Sequence, residues 1–168
     1  MGTRSGAIDA AITEYIADQR GYSGKRVENV LNKESGMLGV SGVSSDFRDL
    51  EIAAEEGNER AKLALDIFSY KVTKRIGSAA AAMGGVDAVV FTAGVGENSA
   101  SMRASIMEGL EFLGFKMDPE KNNVRGKERI ISTDDSKNAI LLVPTNEELM
   151  IALDTARLVR EAEINGAL

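Results

Sequence analysis

The sequence predicts an α/β domain, and three observations carry that reading. A long stretch of helical apolar period, residues 46–83, gives way to short β-branched apolar runs. The first run, residues 87–92, ends in a glycine turn that opens a helix. The second, residues 139–143, is stopped by Pro144 and is again followed by a helix. Composition narrows the class further. The chain has 168 residues, 43% hydrophobic and 27% charged, enough for one domain with a buried core. Its net charge of −6 and lack of a basic stripe argue against a nucleic-acid partner. With 0 cysteines and 0 histidines it has no thiol chemistry, disulfide, zinc finger or imidazole base of its own. No run nears the roughly eighteen apolar residues of a membrane span, so no membrane partner is expected. Met1-Gly2-Thr3-Arg4-Ser5-Gly6 is not a signal peptide, and the expected compartment is a reducing cytoplasm.

Taken in order, the first helix is expected over residues 8–19, with Ile8, Ile12, Tyr15 and Ile16 facing inward and Gly21 ending it. A short second helix is capped by Ser23 and turns Val27, Val30 and Leu31 inward. Residues 35–42, rich in glycine and serine, read as an irregular loop. The long helical stretch 46–83 is interrupted near Gly57-Asn58, and its second part aligns Ala61, Leu65, Phe68, Val72 and Ile76 on one stripe. Residues 87–92 form a nearly continuous apolar run, the pattern of a strand covered on both faces. The helix after it shows Met102, Ile106, Leu110 and Leu113 on one face and stops at Gly114. Residues 115–117 suggest a short strand and Ile130-Ile131 an edge strand within a polar loop. Residues 139–143 are a second buried strand, and a last helix runs from about Asn146 to Glu163. So few strands make a poor sheet for buried-looking runs, which need neighbours.

Three segments could carry chemistry. Gly94-Val95-Gly96-Glu97-Asn98 lies at the carboxyl end of a strand and opens a helix, where α/β sheets bind ligands and helix N–H groups favour phosphate. It is neither a Walker A loop nor a complete dinucleotide fingerprint, and a plain tight turn capped by Asn98 or Ser99 stands beside the binding reading. Thr145-Asn146-Glu147-Glu148 holds the equivalent place after the second strand. Thr145 and Glu148 have capping-box spacing, while Glu147 either holds Mg²⁺ or is a favourable charge in the first helical turn. Ser44-Ser45-Asp46-Phe47-Arg48 starts the long helix; Ser45 or Asp46 caps it, or Asp46 accepts from a ribose or base while Arg48 stacks or binds phosphate. Arg4, flanked by glycines, reads locally as surface, and Arg103 and Arg125 as structural.

Together these stretches resemble the C-terminal part of the acetate kinases, the acetokinase family. The matching residues are Met1 to Gly6, Lys33-Glu34-Ser35-Gly36, Ser45-Asp46-Phe47-Arg48, Val90 to Asn98, and Val143-Pro144-Thr145-Asn146-Glu147-Glu148-Leu149. Ala10 departs from the family, which has proline there. The resemblance implies the fold of the acetate and sugar kinase, chaperone and actin superfamily (ribonuclease H-like), with ATP between two domains. Residues 1–168 would then be a C-terminal nucleotide-binding and dimerisation domain fragment, with upstream strands of the sheet missing. The implied reaction transfers the ATP γ-phosphoryl group to acetate, giving ADP and acetyl phosphate, with Mg²⁺. Arg4 matches the arginine that stabilises the transferring phosphoryl group. Asp46, Phe47 and Arg48 match one adenosine segment, and Gly94, Val95, Gly96, Glu97 and Asn98 the second. Glu147 matches the Mg²⁺-associated glutamate. The family's catalytic aspartate and histidines, its other substrate arginine and the first phosphate loop fall upstream of Met1, so the fragment alone is expected to be inactive. A homodimer is expected. A propionate or butyrate kinase fragment, or a non-catalytic nucleotide-binding or dimerisation module, are the alternatives.

Overall fold

A computed structural model describes residues 1–165. The chain is helix-rich before residue 84 and mixed after it. Helices α1 (Ala11–Arg20), α2 (Gly24–Lys33), α3 (Gly36–Ser41), α4 (Phe47–Glu55) and α5 (Glu59–Met83) precede strand β1 (Ala88–Phe91). Two short helices follow, α6 (Ala93–Asn98) and α7 (Ala100–Met107), then a 3₁₀ turn at Glu111–Leu113 and helix α8 (Pro119–Asn122). Strands β2 (Arg129–Ile130) and β3 (Ala139–Leu142) complete the sheet, and α9 (Glu147–Ile164) closes the described chain.

Among the described residues the sheet has three strands, in the order β1-β3-β2. β1 and β3 are parallel, with Ala88 opposite Ala139 and Phe91 opposite Leu142. β2 adds antiparallel, with Ile130 opposite Leu141. The exposure pattern of β1 corrects the expectation that the first strand is covered on both faces. β1 is an edge, and its alternate residue Val90 is 52% exposed while Phe91 is buried. The continuous apolar run therefore has one covered face and one open one. The 115–117 segment forms only isolated bridges, Phe115 to Asn138 and Met117 to Ser132, and not a strand.

The core has two parts. Phe91, Met102, Ile106, Leu110, Phe115, Ile131, Ile140 and Leu142 pack between the sheet and α7. Met37, Leu50, Ala61 and Ala64 join α3, α4 and the start of α5. Leu65 and Phe68 of the expected α5 stripe touch both clusters, and Phe47 packs edge-on against Phe68 with ring centroids 4.7 Å apart at 72°. The Thr73 hydroxyl donates to the Ile106 carbonyl at 2.7 Å, fastening α5 to α7.

Several local expectations change. Residues 36–41 are helix α3 where a loop was expected. Its first N–H groups have partners outside the helix: Met37 donates to the Met1 carbonyl at 3.2 Å and Leu38 to that of Gly2 at 2.9 Å. The helix after β1 is shorter than its apolar period suggests, because Gly109 at φ 82° breaks it; Leu113 lies on the separate 3₁₀ turn, which Gly114 ends at φ 89°. Helix α1 buries none of its residues, so Ile12 and Tyr15 face outward. The break at Gly57-Asn58 is as expected, with Asn58 capping α5 through bonds from Arg60 and Ala61.

Candidate functional site

The site begins with strand register. Because β1 and β3 are parallel neighbours, their carboxyl ends lie side by side, and the Val143 N–H still donates to the Phe91 carbonyl at 2.9 Å. The 94–98 segment leaves one strand and residues 143–147 leave the other, so the fold brings both motifs to the same end of the sheet.

One carboxylate joins them. Glu97 Oε1 accepts from the Thr145 N–H at 2.9 Å and from the Thr145 hydroxyl at 2.9 Å. The Thr145 N–H, then its hydroxyl, hold the Glu97 carboxyl below the usual carboxylate range, with a further contribution from the Ala93 N–H. This corrects the expected capping box. Thr145 is used by Glu97, and Asn146 caps α9 instead, its side-chain oxygen accepting from the Leu149 N–H at 3.0 Å. Glu147, first residue of α9, is exposed.

The glycine motif is itself a helical turn, α6, and α7 starts after Ser99, whose hydroxyl accepts from the Met102 N–H at 3.1 Å. The left-handed position belongs to Ala93, at φ 59°, and not to either motif glycine. The glycines differ in their surroundings. A β-carbon on Gly96 would sit 3.4 Å from the Phe91 backbone, whereas one on Gly94 would meet nothing within 4 Å. Gly94 therefore faces open space. Asn98 folds back, donating to the Gly94 carbonyl at 2.9 Å.

At the start of α4, Asp46 is the cap. It accepts from the Arg48 N–H at 2.9 Å and pairs with the Arg48 guanidinium at 3.1 and 2.7 Å. Arg48, first through its side chain and then its backbone N–H, holds the Asp46 carboxyl down to about 2. The two side chains thus occupy each other, with the Arg48 side chain 85% exposed. Phe47 turns inward onto Phe68. One turn along α4, Glu51 accepts from Ser99 at 2.5 Å and Ser101 at 2.9 Å, which links this helix to the end of α6.

Arg4 sits on the segment laid across the junction of α2 and α3. Ser5 donates to the Leu31 carbonyl at 2.8 Å and Ser35 to that of Thr3 at 2.9 Å. Gly36, at φ +60°, permits this crossing, since a β-carbon there would fall 2.3 Å from the Met1 carbonyl oxygen. The exposed Arg4 side chain borders a groove with Met37, Phe68, Lys71 and Arg75. No hydrogen bond joins it to the other expected site residues; the neighbouring link is Gly2, packed on Ser45 beside Asp46. Glu51 carries no signal in the sequence, Thr145 was expected as a cap and is instead the partner of Glu97, and Arg103 is structural as expected. Arg103 shares the buried face of α7 with Met102, Ile106 and Met107, the last two standing at helical spacing from it.

Comparison with known proteins adds to this geometry. The sequence profile of the acetokinase family matches residues 1–153. An acetate kinase of Thermoanaerobacterium thermosaccharolyticum is 61% identical over 160 residues, which are 95% of this chain and 40% of that protein. The crystal structure of Porphyromonas gingivalis acetate kinase superposes with a TM-score of 0.90 at 46% identity, covering 95% of this chain and 40% of that one. A propionate kinase from Francisella tularensis superposes with a TM-score of 0.83 at 45% identity, covering 90% of this chain and 38% of that one. The chain thus spans about 40% of the length of the curated relatives it matches.

Proposed function

The chain belongs to the acetokinase family, and from that premise we propose that it supplies the nucleotide side of an acetate kinase, which passes the γ-phosphoryl group of ATP to acetate and releases ADP and acetyl phosphate. Its mixed α/β fold is that of the acetate and sugar kinase and actin-like proteins. The observation that carries the proposal is the Glu97–Thr145 tie, which holds two family motifs together at the carboxyl ends of adjacent parallel strands. In this reading the open side of Gly94 faces the nucleotide, with the 94–98 turn and the Asp46-Phe47-Arg48 helix start bordering the adenosine.

Phosphoryl transfer asks mainly for alignment and for cancellation of charge on the equatorial oxygens. Arg4 suits that task, being planar, always charged and free to reach out from a segment whose backbone is fixed. Glu147 would hold Mg²⁺, directly or through water. Among the described residues no group of three or more potential ligands exists, and one exposed carboxylate fits an ion that keeps waters and takes phosphate oxygens. When bound, the ion would neutralise phosphate charge. The chain has 0 histidines, so by itself it is expected not to turn over; in this reading it works as part of a cytoplasmic homodimer with the length of its relatives, of which it covers about 40%. The similarity to a propionate kinase at 45% identity favours a second reading, in which the acyl group is longer.

Gly94→Val is the discriminating experiment. The fold has room for the side chain, so stability should stay level while MgATP binding, measured by calorimetry, is lost. Unchanged binding in that variant would show the turn to be structural only.

A further inference from the structure

Arg103, on α7, is fully buried at 0% exposure. Among the described residues no carboxylate pairs with it; its partners are all neutral oxygens. Nε donates to Asn122 Oδ1 at 2.8 Å, Nη2 to the carbonyls of Asn122 at 2.7 Å and Val124 at 2.8 Å, and Nη1 to the Gly96 carbonyl at 2.8 Å. The guanidinium fork thus spans two separate segments, the end of α8 with the loop after it and the glycine turn. Two further bonds reinforce the arrangement. Asn122 donates to the Ala100 carbonyl at 2.9 Å, and the Gly126 N–H donates to the Glu97 carbonyl at 3.1 Å.

The carbonyls of Gly96 and Glu97 belong to the last turn of α6, where the intrahelical ladder leaves acceptors without partners. A cation at a helix carboxyl end is favourable in charge as well as in hydrogen bonding. Even so, burying a guanidinium without a counter-ion is expensive, and an apolar side chain of similar size would fill the volume at less cost. Packing alone gives no reason for an arginine here. A demand on the position of the Gly96 backbone does.

We propose that Arg103 is a positioning residue that fixes the backbone of the 94–98 turn from behind, so that the nucleotide-facing side is preset. The proposal rests on the nucleotide reading above for what the turn binds, but not for the clamp itself. A lysine cannot replace it, since a point charge on a single nitrogen cannot fork between Gly96 and residues 122–124.

The test compares Arg103→Lys and Asn122→Ala with the parent chain, using amide hydrogen exchange by NMR and MgATP titration. Asn122→Ala keeps the arginine and removes one anchor, which guards against a variant that fails to fold. Amides of residues 93–98 should exchange about tenfold faster in both variants, with protection in β3 unchanged, and MgATP affinity should fall about tenfold in Arg103→Lys. Exchange that rises equally in β3 and in residues 93–98, or in neither, would overturn the clamp. Faster local exchange with undiminished MgATP affinity would overturn its role in binding. A parent chain that binds no MgATP would sink the nucleotide reading, while the exchange contrast would still decide the clamp.

Discussion

Glu97 illustrates how a single side chain can set the geometry of two motifs. One of its oxygens takes both Thr145 donors, and those bonds favour the ionised form. A group whose folded pKa is depressed adds stability above its unfolded value, about 4.3 for glutamate, and loses it as pH falls through the folded value. The Thr145 amide should therefore stay protected from pH 7 down to about 5 and lose protection only in more acid solution. Glu97→Ala should expose it at all these values, and amide exchange at Thr145 measures both. Protection that survives in Glu97→Ala would mean the tie does not hold the loop. Arg4 makes a different prediction. In a full-length protein carrying this chain, Arg4→Ala should cut kcat by about a hundredfold or more with little change in ATP affinity, because a cation on developing charge acts in the transition state. Steady-state kinetics beside calorimetry separates the two; weakened ATP binding with normal turnover would contradict the assigned role.

At the scale of elements, the crossing of residues 1–5 over α3 depends on Gly36. Its left-handed φ and the 2.3 Å approach to the Met1 carbonyl leave no place for a β-carbon. Gly36→Ala should destabilise the chain by about 1–3 kcal/mol and release the segment that carries Arg4. Urea unfolding reads the first effect and amide exchange at Ser5 the second. This crossing was not legible beforehand, because a glycine-serine stretch signals permissive backbone without saying that a short helix will use it. Elements with a strong period were legible: the α5 stripe, the Ser23 and Asn58 positions, and the strands at 88–91 and 139–142 all stand where the pattern put them. Element ends and faces were not. The apolar run of β1 could not reveal that it forms an edge, and Thr145 has the spacing of a cap while its donors go to a carboxylate 48 residues away. The site motifs were visible as strings, but the bonds linking them are long-range and carry no local signature.

The whole molecule leaves much apolar surface uncovered, and this bears on its state of association. Among the described residues β1 pairs on one side only, and Val90 on its open face is 52% exposed. Helix α9 buries none of its residues, although it carries Leu149, Ile151, Leu153 and Leu158, each more than half exposed. Phe112 is 78% exposed. Soluble monomers rarely present contiguous apolar patches beyond a few hundred Å². An edge strand protected by neither lysine nor proline is also a template for pairing with another chain. By itself, the 168-residue chain should form a dimer or larger species, or rearrange to cover β1. Sedimentation equilibrium at micromolar concentration tests the first outcome, and amide exchange in β1 the second. A clean monomer whose β1 amides exchange freely on the open side would show that this edge and these helices are stable in water, and that their apolar side chains are too scattered to drive association.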